Sequence, residues 1–229
     1  MSDYTAFGST MTAIAAFFDM DKTLLSDSSG MMYVRYLRER GRLNRRQMLR
    51  ILWYGTLYKL GLVNFPRLST DLVAELAGGT EPQLRALCEE LFRERIVHTV
   101  TVTGRQRIAE HRAQGHIPVI LSAATNYVVE PLARHLDVPD FLCTRLVVGP
   151  DGRFTGQIME PPCFGRHKIT HAERWAAAHG VDLASSYFYT DSYTDRDMLE
   201  RVGLPVAVNP DPRLRRLAHK RGWPVEGWT

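Results

Sequence analysis

Cysteine is scarce in these 229 residues, and the three present, Cys88, Cys143 and Cys163, are scattered. They are too few for a disulfide framework and too far apart for a zinc motif, so the chain reads as a protein of a reducing cytoplasm with no cysteine chemistry. Long apolar runs are missing too. Residues 51–63 (ILWYGTLYKLGLV) are interrupted by Lys59 and fall short of the roughly 20 residues a membrane span needs. The apolar residues 12–18 have no basic segment ahead of them and run straight into carboxylates, which argues against a signal peptide. Over most of the chain an excess of positive charge is lacking as well. The formal net charge is +4, but Arg35, Arg38, Arg40, Arg42, Arg45, Arg46 and Arg50 fall in one window against the single Glu39. Outside it 22 basic residues face 24 acidic ones, a net −2. The basic character therefore belongs to one surface.

What is present is an ordinary globular composition, 45% hydrophobic, in a chain long enough for one buried core and an inserted subdomain. The stretch from Ala13 to Leu25 organises the rest. An apolar run without polar alternation suits a strand covered on both faces of a parallel sheet, and here it ends abruptly in Asp19 and Asp21. The two carboxylates stand where the strand ends, and they need not be redundant. A calcium loop is excluded, because its sixth and twelfth positions, Gly and Glu, are here Leu24 and Gly30.

Residues 1–10 read as a loose lead-in. After the polar hinge 26–30, helical periodicity runs for some seventy residues. Met32, Tyr33, Tyr36 and Leu37 share a face; Gly41 stops that helix, and Asn44 caps a next one through Met48, Leu49, Leu52 and Trp53. Thr80-Glu81-Pro82 starts a third, with Leu84, Leu87, Cys88 and Leu91 as its buried stripe. From 106 the pattern alternates: a helix through Ile108 and His111, a strand Ile117–Leu121 ending at Ser122, a helix 127–136, and a strand from Phe141 to Val148 that turns into Arg153–Met159 as a hairpin. Then come a helix from Lys168 to Gly180, a strand Tyr187–Tyr189 ending at Thr190-Asp191, a helix near Thr194, and a last strand, Leu204–Val208, before a helix capped by Asp211-Pro212. Strands that each end in a polar residue, separated by helices, imply an α/β fold: a doubly wound, Rossmann-like parallel sheet with an inserted α-helical cap. The expected division is core 1–25, cap 26–105 and core 106–229.

Four motifs in order carry a resemblance. Asp19-Met20-Asp21-Lys22-Thr23, then Ser122 after an apolar strand, then Lys168, then Asp191-Ser192-Tyr193-Thr194-Asp195 resemble the haloacid dehalogenase superfamily, in its phosphoserine-phosphatase-like branch, subfamily IB. The resemblance implies a magnesium-dependent phosphomonoester hydrolase acting through an aspartyl-phosphate. Asp19 is the expected nucleophile, which divides one hydrolysis into two displacements. Asp21 is the expected acid and base. Ser122, Ala123 and Lys168 are expected to hold the phosphate. Asp19, the main-chain oxygen of Asp21, and Asp191 are the expected Mg²⁺ ligands, with Thr23 and Asp195 in support. Charge explains the metal: Asp19, Asp191 and Asp195 outweigh Lys168, and only a dication neutralises the site before a phosphate arrives. His167 and His171 flank the lysine and read as surface histidines.

For the substrate, the resemblance implies a small metabolite, phosphoserine-like or histidinol-phosphate-like. Family phosphoserine phosphatases carry a glutamate nine residues after the nucleophile, where this chain has Ser28; they also carry two glycines where it has Ala123-Ala124, and Asp-Gly where it has Asp191-Ser192. A second reading takes the arginine cluster, beside Trp53, Tyr54 and Tyr58, as a surface for anionic lipid and the substrate as a lipid precursor or headgroup phosphate. The simpler reading is a solvated helix face over packed aromatics. No nucleic-acid module accompanies the cluster. A receiver-like or degenerate binding module is the non-enzymatic alternative; a receiver domain lacks the long helical insertion.

Overall fold

The structure, a computed structural model, describes residues 12–43, residue 49 and residues 77–229. The lead-in at 1–10, the cap at Asn44, the helical pattern through Met48, Leu52 and Trp53, the Tyr54 and Tyr58 positions, and Arg45, Arg46 and Arg50 lie outside the described residues.

The first strand, β1 (Ala15–Phe18), is buried along its whole length. Its side chains divide between two cores, as strand alternation requires. Ala16 and Phe18 join one apolar cluster, and Ala15 and Phe17 join another. Each phenylalanine so buried contributes on the order of 1.5–3 kcal/mol. After the turn Met20–Leu24 come α1 (Ser29–Glu39), α2 (Glu81–Glu94), a 3-10 turn (Ile96–Thr99) and α3 (Val102–Ala113). The chain then alternates through β2 (Ile117–Thr125), α4 (Asn126–His135), β3 (Asp140–Thr144), the hairpin strands β4 (Leu146–Val148) and β5 (Phe154–Ile158), α5 (His167–His179) and β6 (Tyr187–Thr190). It ends with α6 (Arg196–Arg201), β7 (Leu204–Val208), α7 (Pro212–Arg221) and β8 (Val225–Glu226).

Six strands form one sheet in the order β3-β2-β1-β6-β7-β8, with every pair parallel. Residues of α3 and α4, among them Ile108, Val129 and Leu132, pack on the face presented by Phe18 and Ile120. Ala172 and Trp175 of α5, Leu199 of α6 and Leu214 of α7 cover the opposite face. This is the expected doubly wound sheet. The chain leaves β1 outward to β2 and β3, then returns to β6 on β1's other side, so the order reverses between β1 and β6. Ligands in open α/β sheets bind beyond the strand ends at such a reversal.

Three local expectations need correction. The single strand from Phe141 to Val148 is two strands in different sheets: β3 pairs with β2, and beyond Arg145 the chain leaves to pair with β5. Leu204–Val208 is not the last strand, because β8 adds two residues beyond it, too few to show a period. The helix near Thr194 is first a 3-10 turn, Tyr193–Asp195, and becomes α-helical only at Arg196. Asp191 therefore precedes the helix and does not share a helical face with Asp195.

Everything between β1 and its neighbour β2 is one long excursion containing α1 and α2; α3 spans residue 105. Leu84 and Cys88 of α2 pack with Tyr127 of α4 and with Leu146 and Phe154 of the hairpin. Ion pairs of Arg85 with Glu130 and of Arg134 with Glu89 join α2 to α4. Between α1 and α2, Arg40 meets Glu90 at 2.7 Å and stacks 3.9 Å from the Tyr36 ring centroid. Arg35 pairs with Asp27. Part of the arginine cluster is thus engaged within the chain. No helix among the described residues is long and apolar enough to cross a membrane.

Gly203 gives a direct test of this packing. A Cβ there would stand 1.7 Å from the Ala184 carbonyl oxygen, against backbone that has no side chain to swing away. Gly203→Ala should lower unfolding free energy by about 1–3 kcal/mol or more, read as a lower urea midpoint; an unchanged midpoint would contradict the tight approach of these turns.

Candidate active site

Asp19 follows β1 directly, and its N–H donates to the Tyr189 carbonyl at 2.9 Å, which fixes the end of β1 to β6. The chain then turns tightly. Lys22 takes a left-handed conformation (φ 56°), uncommon for a residue with a side chain and concentrated at functional turns. The turn is held from below by Thr101, whose hydroxyl donates to the Thr23 and Leu24 carbonyls at 3.2 and 3.1 Å. Thr23 is buried, and its own hydroxyl has no partner among the described residues.

Lys168 enters from the first turn of α5 and is 2% exposed. Its Nζ donates to Asp19 Oδ1 and to Asp195 Oδ2, each at 2.7 Å. Asp195 Oδ2 also accepts from the Thr190 hydroxyl at 2.8 Å. An ammonium has three N–H donors, so one remains after both ion pairs. Burial pulls the Lys168 pKa down, but the two carboxylates outweigh it and hold the pKa above its ordinary value, so the group stays charged. Burial pushes Asp19 up to about 7, against the lowering pull of Lys168 and with Asp195 adding to the rise.

Asp191 stands just beyond β6. Burial first, and the neighbouring Asp19 next, push its carboxyl up to about 8. Its carbonyl accepts from the Asp211 N–H at 2.8 Å, while Asp211 Oδ2 accepts from the Tyr193 N–H at 2.7 Å. The residue that caps α7 thus also holds the Asp191 loop. Asp21 is raised by burial, opposed by hydrogen bonds from Ser29 and Ser28. Its Oδ1 accepts from the Ser29 N–H at 3.0 Å and its Oδ2 from the Ser28 hydroxyl at 3.4 Å.

Ser122 is buried on β2, two residues past Ile120, the partner of Phe18, so it occupies the same end of the sheet as Asp19. Its Oγ accepts from the Ala124 N–H at 3.2 Å. Ala123 lies within the register shift between Ser122 and Thr125, where the ladder to β3 loosens. The His171 ring donates to the Pro161 carbonyl at 2.9 Å, a structural bond outside this cluster.

The structure thus brings Asp19, Lys168 and Asp195 into direct contact and sets Asp21, Thr23, Ser122, Ala123 and Asp191 at the same end of the sheet. Three partners were missed in the sequence: Thr190, Thr101 and the α1 start at Ser28 and Ser29. Thr101 lies 78 residues from Thr23, beyond any local spacing. Thr190 stood next to the fourth motif but carried no pattern of its own.

The chemistry this permits follows from charge. Four carboxylates gather around one buried lysine, and the raised pKa values of Asp19 and Asp191 mark a site that favours a cation or a proton. Among the described residues, no three His, Cys, Asp or Glu side chains are arranged to hold a metal. Two carboxylates, a main-chain carbonyl and waters are hard oxygen donors of the kind magnesium takes, so the donor set fits Mg²⁺.

Lys168→Met leaves Asp19 and Asp195 buried without their counter-charge, and should cost about 3–5 kcal/mol. A carboxylate with a raised native pKa contributes stability below its unfolded value and loses it as pH rises through the native value. The loss, read as Tm without added metal, should therefore be larger at pH 8 than at pH 5 and partly reversed by adding Asp195→Asn. An equal loss at both pH values would contradict the role given to the buried charges.

Residues 16–200 match the haloacid dehalogenase-like hydrolase family. A relative from Streptomyces azureus, an inhibition of morphological differentiation protein, is 37% identical over 92% of this chain and 77% of its own length. Phosphoserine phosphatase SerB1 of Mycobacterium tuberculosis is 32% identical over 92% of this chain and 70% of its own. Histidinol-phosphatase of Neisseria meningitidis is 29% identical over 92% and 96%. Among solved structures, a Bordetella pertussis protein of unknown function superposes with a TM-score of 0.86 at 32% identity, covering 94% of this chain and 98% of that one.

Proposed function

We propose that this chain, which belongs to the haloacid dehalogenase-like hydrolase family and is a phosphatase, hydrolyses small alkyl phosphomonoesters through a phosphoryl group carried on Asp19. The observation that carries the proposal is the buried contact of Lys168 with Asp19 Oδ1 and Asp195 at 2.7 Å. It turns one oxygen of Asp19 toward the lysine and leaves the other for a reacting atom.

Asp19 Oδ2 attacks phosphorus as the ester P–O bond breaks. Asp21, whose carboxyl pKa is raised by burial, gives its proton to the departing alkoxide; it then takes a proton from the water that cleaves the aspartyl-phosphate. The third N–H of Lys168, the Ser122 hydroxyl and the Ala123 main chain bind the non-bridging oxygens. Thr23 supports the loop through its carbonyl, which accepts the Thr101 hydroxyl, and Asp195 fixes Lys168. Asp19, Asp191 and the Asp21 carbonyl would hold Mg²⁺, which when bound neutralises the carboxylates against an incoming dianion. Residues 26–105 act as the cap over residues 1–25 and 106–229. The buried free cysteines accord with a cytoplasmic setting.

For the substrate we favour a phosphoserine-like or histidinol-phosphate-like metabolite, on the strength of relatives that carry those names and match over 92% of this chain. A panel of phosphorylated metabolites assayed for phosphate release is the test, with EDTA and Asp19→Asn as controls. We expect metal-dependent turnover, none with Asp19→Asn, and a loss of about 10²–10⁴ with Asp21→Asn. Undiminished activity in EDTA or in Asp19→Asn would overturn the mechanism.

A further inference from the structure

Proton transfer requires more of Asp21 than its presence: the carboxyl must point at the leaving oxygen when the ester bond breaks. Asp21 sits in the turn, and both of its oxygens are held by the start of α1. Oδ1 accepts from the Ser29 N–H at 3.0 Å, and Oδ2 accepts from the Ser28 hydroxyl at 3.4 Å. These two bonds use about half of the acceptor positions of a carboxylate, leaving the others for the substrate.

Ser28 is itself fixed. Its N–H donates to Asp27 Oδ1 at 2.8 Å, and its Oγ caps α1 by accepting from the Met31 N–H at 3.5 Å. Asp27 in turn accepts the Lys22 N–H through its carbonyl, closing the segment from Lys22 to Asp27 upon itself. Ser29 is 3% exposed, so water does not compete freely for its N–H.

From this geometry we infer that Ser28 is a positioning residue for the proton donor: its hydroxyl, together with the first amide of α1, fixes the orientation in which Asp21 meets the leaving oxygen. The inference rests on the phosphatase reading and goes beyond it, because it ties acid catalysis to the seating of the cap's first helix. When α1 shifts, Asp21 shifts with it, and the core alone does not set the acid's position.

The consequence is specific to leaving groups. A poor leaving group needs a proton as the bond breaks; an acidic phenol does not. The experiment measures kcat/KM, which reports only the steps up to aspartyl-phosphate formation, across substituted phenyl phosphates from 4-nitrophenyl to 4-methoxyphenyl. In wild type the dependence on leaving-group acidity should be shallow. Ser28→Ala should steepen it, with a loss of about ten- to a hundred-fold at the 4-methoxyphenyl end and a loss at least about ten-fold smaller at the 4-nitrophenyl end. Ser28→Thr keeps the hydroxyl and should restore the wild-type slope. Ser28→Asp keeps an N-cap acceptor but has no donor for Asp21, so it separates helix capping from positioning and serves if the alanine variant does not fold. The same slope in Ser28→Ala or Ser28→Asp as in wild type would overturn the inference while leaving the phosphatase reading intact. A wild-type protein inactive on every ester would overturn both.

Discussion

One lysine nitrogen, out of water and bonded at 2.7 Å to two carboxylates, is the constraint around which the rest is arranged. A buried charge without its partner is several kcal/mol too costly to keep, so Lys168, Asp19 and Asp195 stand or fall as a set. They arrive from different elements: Asp19 from the end of β1, Lys168 from the start of α5, and Asp195 from the turn after β6. The fold must bring all three to one point, and a parallel sheet whose order reverses between β1 and β6 does so by making those two strands neighbours. The same geometry leaves a surplus of negative charge, and that surplus suits the site to a hard dication.

A second dependence runs outward from the first. The turn that presents Asp19 also presents Asp21, and Asp21 is held by α1, the first helix of the excursion. The excursion is anchored again where α2 meets α4 and the hairpin through Leu84, Cys88, Tyr127 and Phe154. Asp19 is thus oriented by the sheet and Asp21 by the helical segment that follows it, so the two carboxylates, separated by a single residue in the chain, answer to different parts of the molecule.

Much of this was legible in the sequence because the residues at strand ends break an apolar run. Asp19 after Phe17-Phe18 and Asp191 after Tyr187-Phe188-Tyr189-Thr190 each mark a strand leaving the core; Ser122 marks only the end of the apolar part of β2, which runs on to Thr125 rather than stopping there; and helices between the strands imply the doubly wound sheet that the structure has. The unbroken apolar character of β1 is explained by the two cores it feeds. Other features leave no periodic trace. The two residues of β8 are too few for one, and the break at Arg145 lies inside a run that still reads as strand. Asp195 alone resembles an ordinary helix-start carboxylate; its bond to Lys168 joins residues 27 apart. Ser28 reads only as part of a polar hinge; in the structure it caps α1, and no one-dimensional pattern tells that its hydroxyl also turns back to Asp21.

The central claim is that Asp19 carries the phosphoryl group between two displacements. Acid quenching during turnover of 4-nitrophenyl phosphate, followed by peptide mapping by mass spectrometry, tests it most directly. The account predicts one added phosphoryl group, on Asp19, labile at alkaline pH as an acyl phosphate should be, and absent from Asp19→Asn. A phosphoryl group found on Asp21, Ser122 or another side chain during full turnover would contradict it.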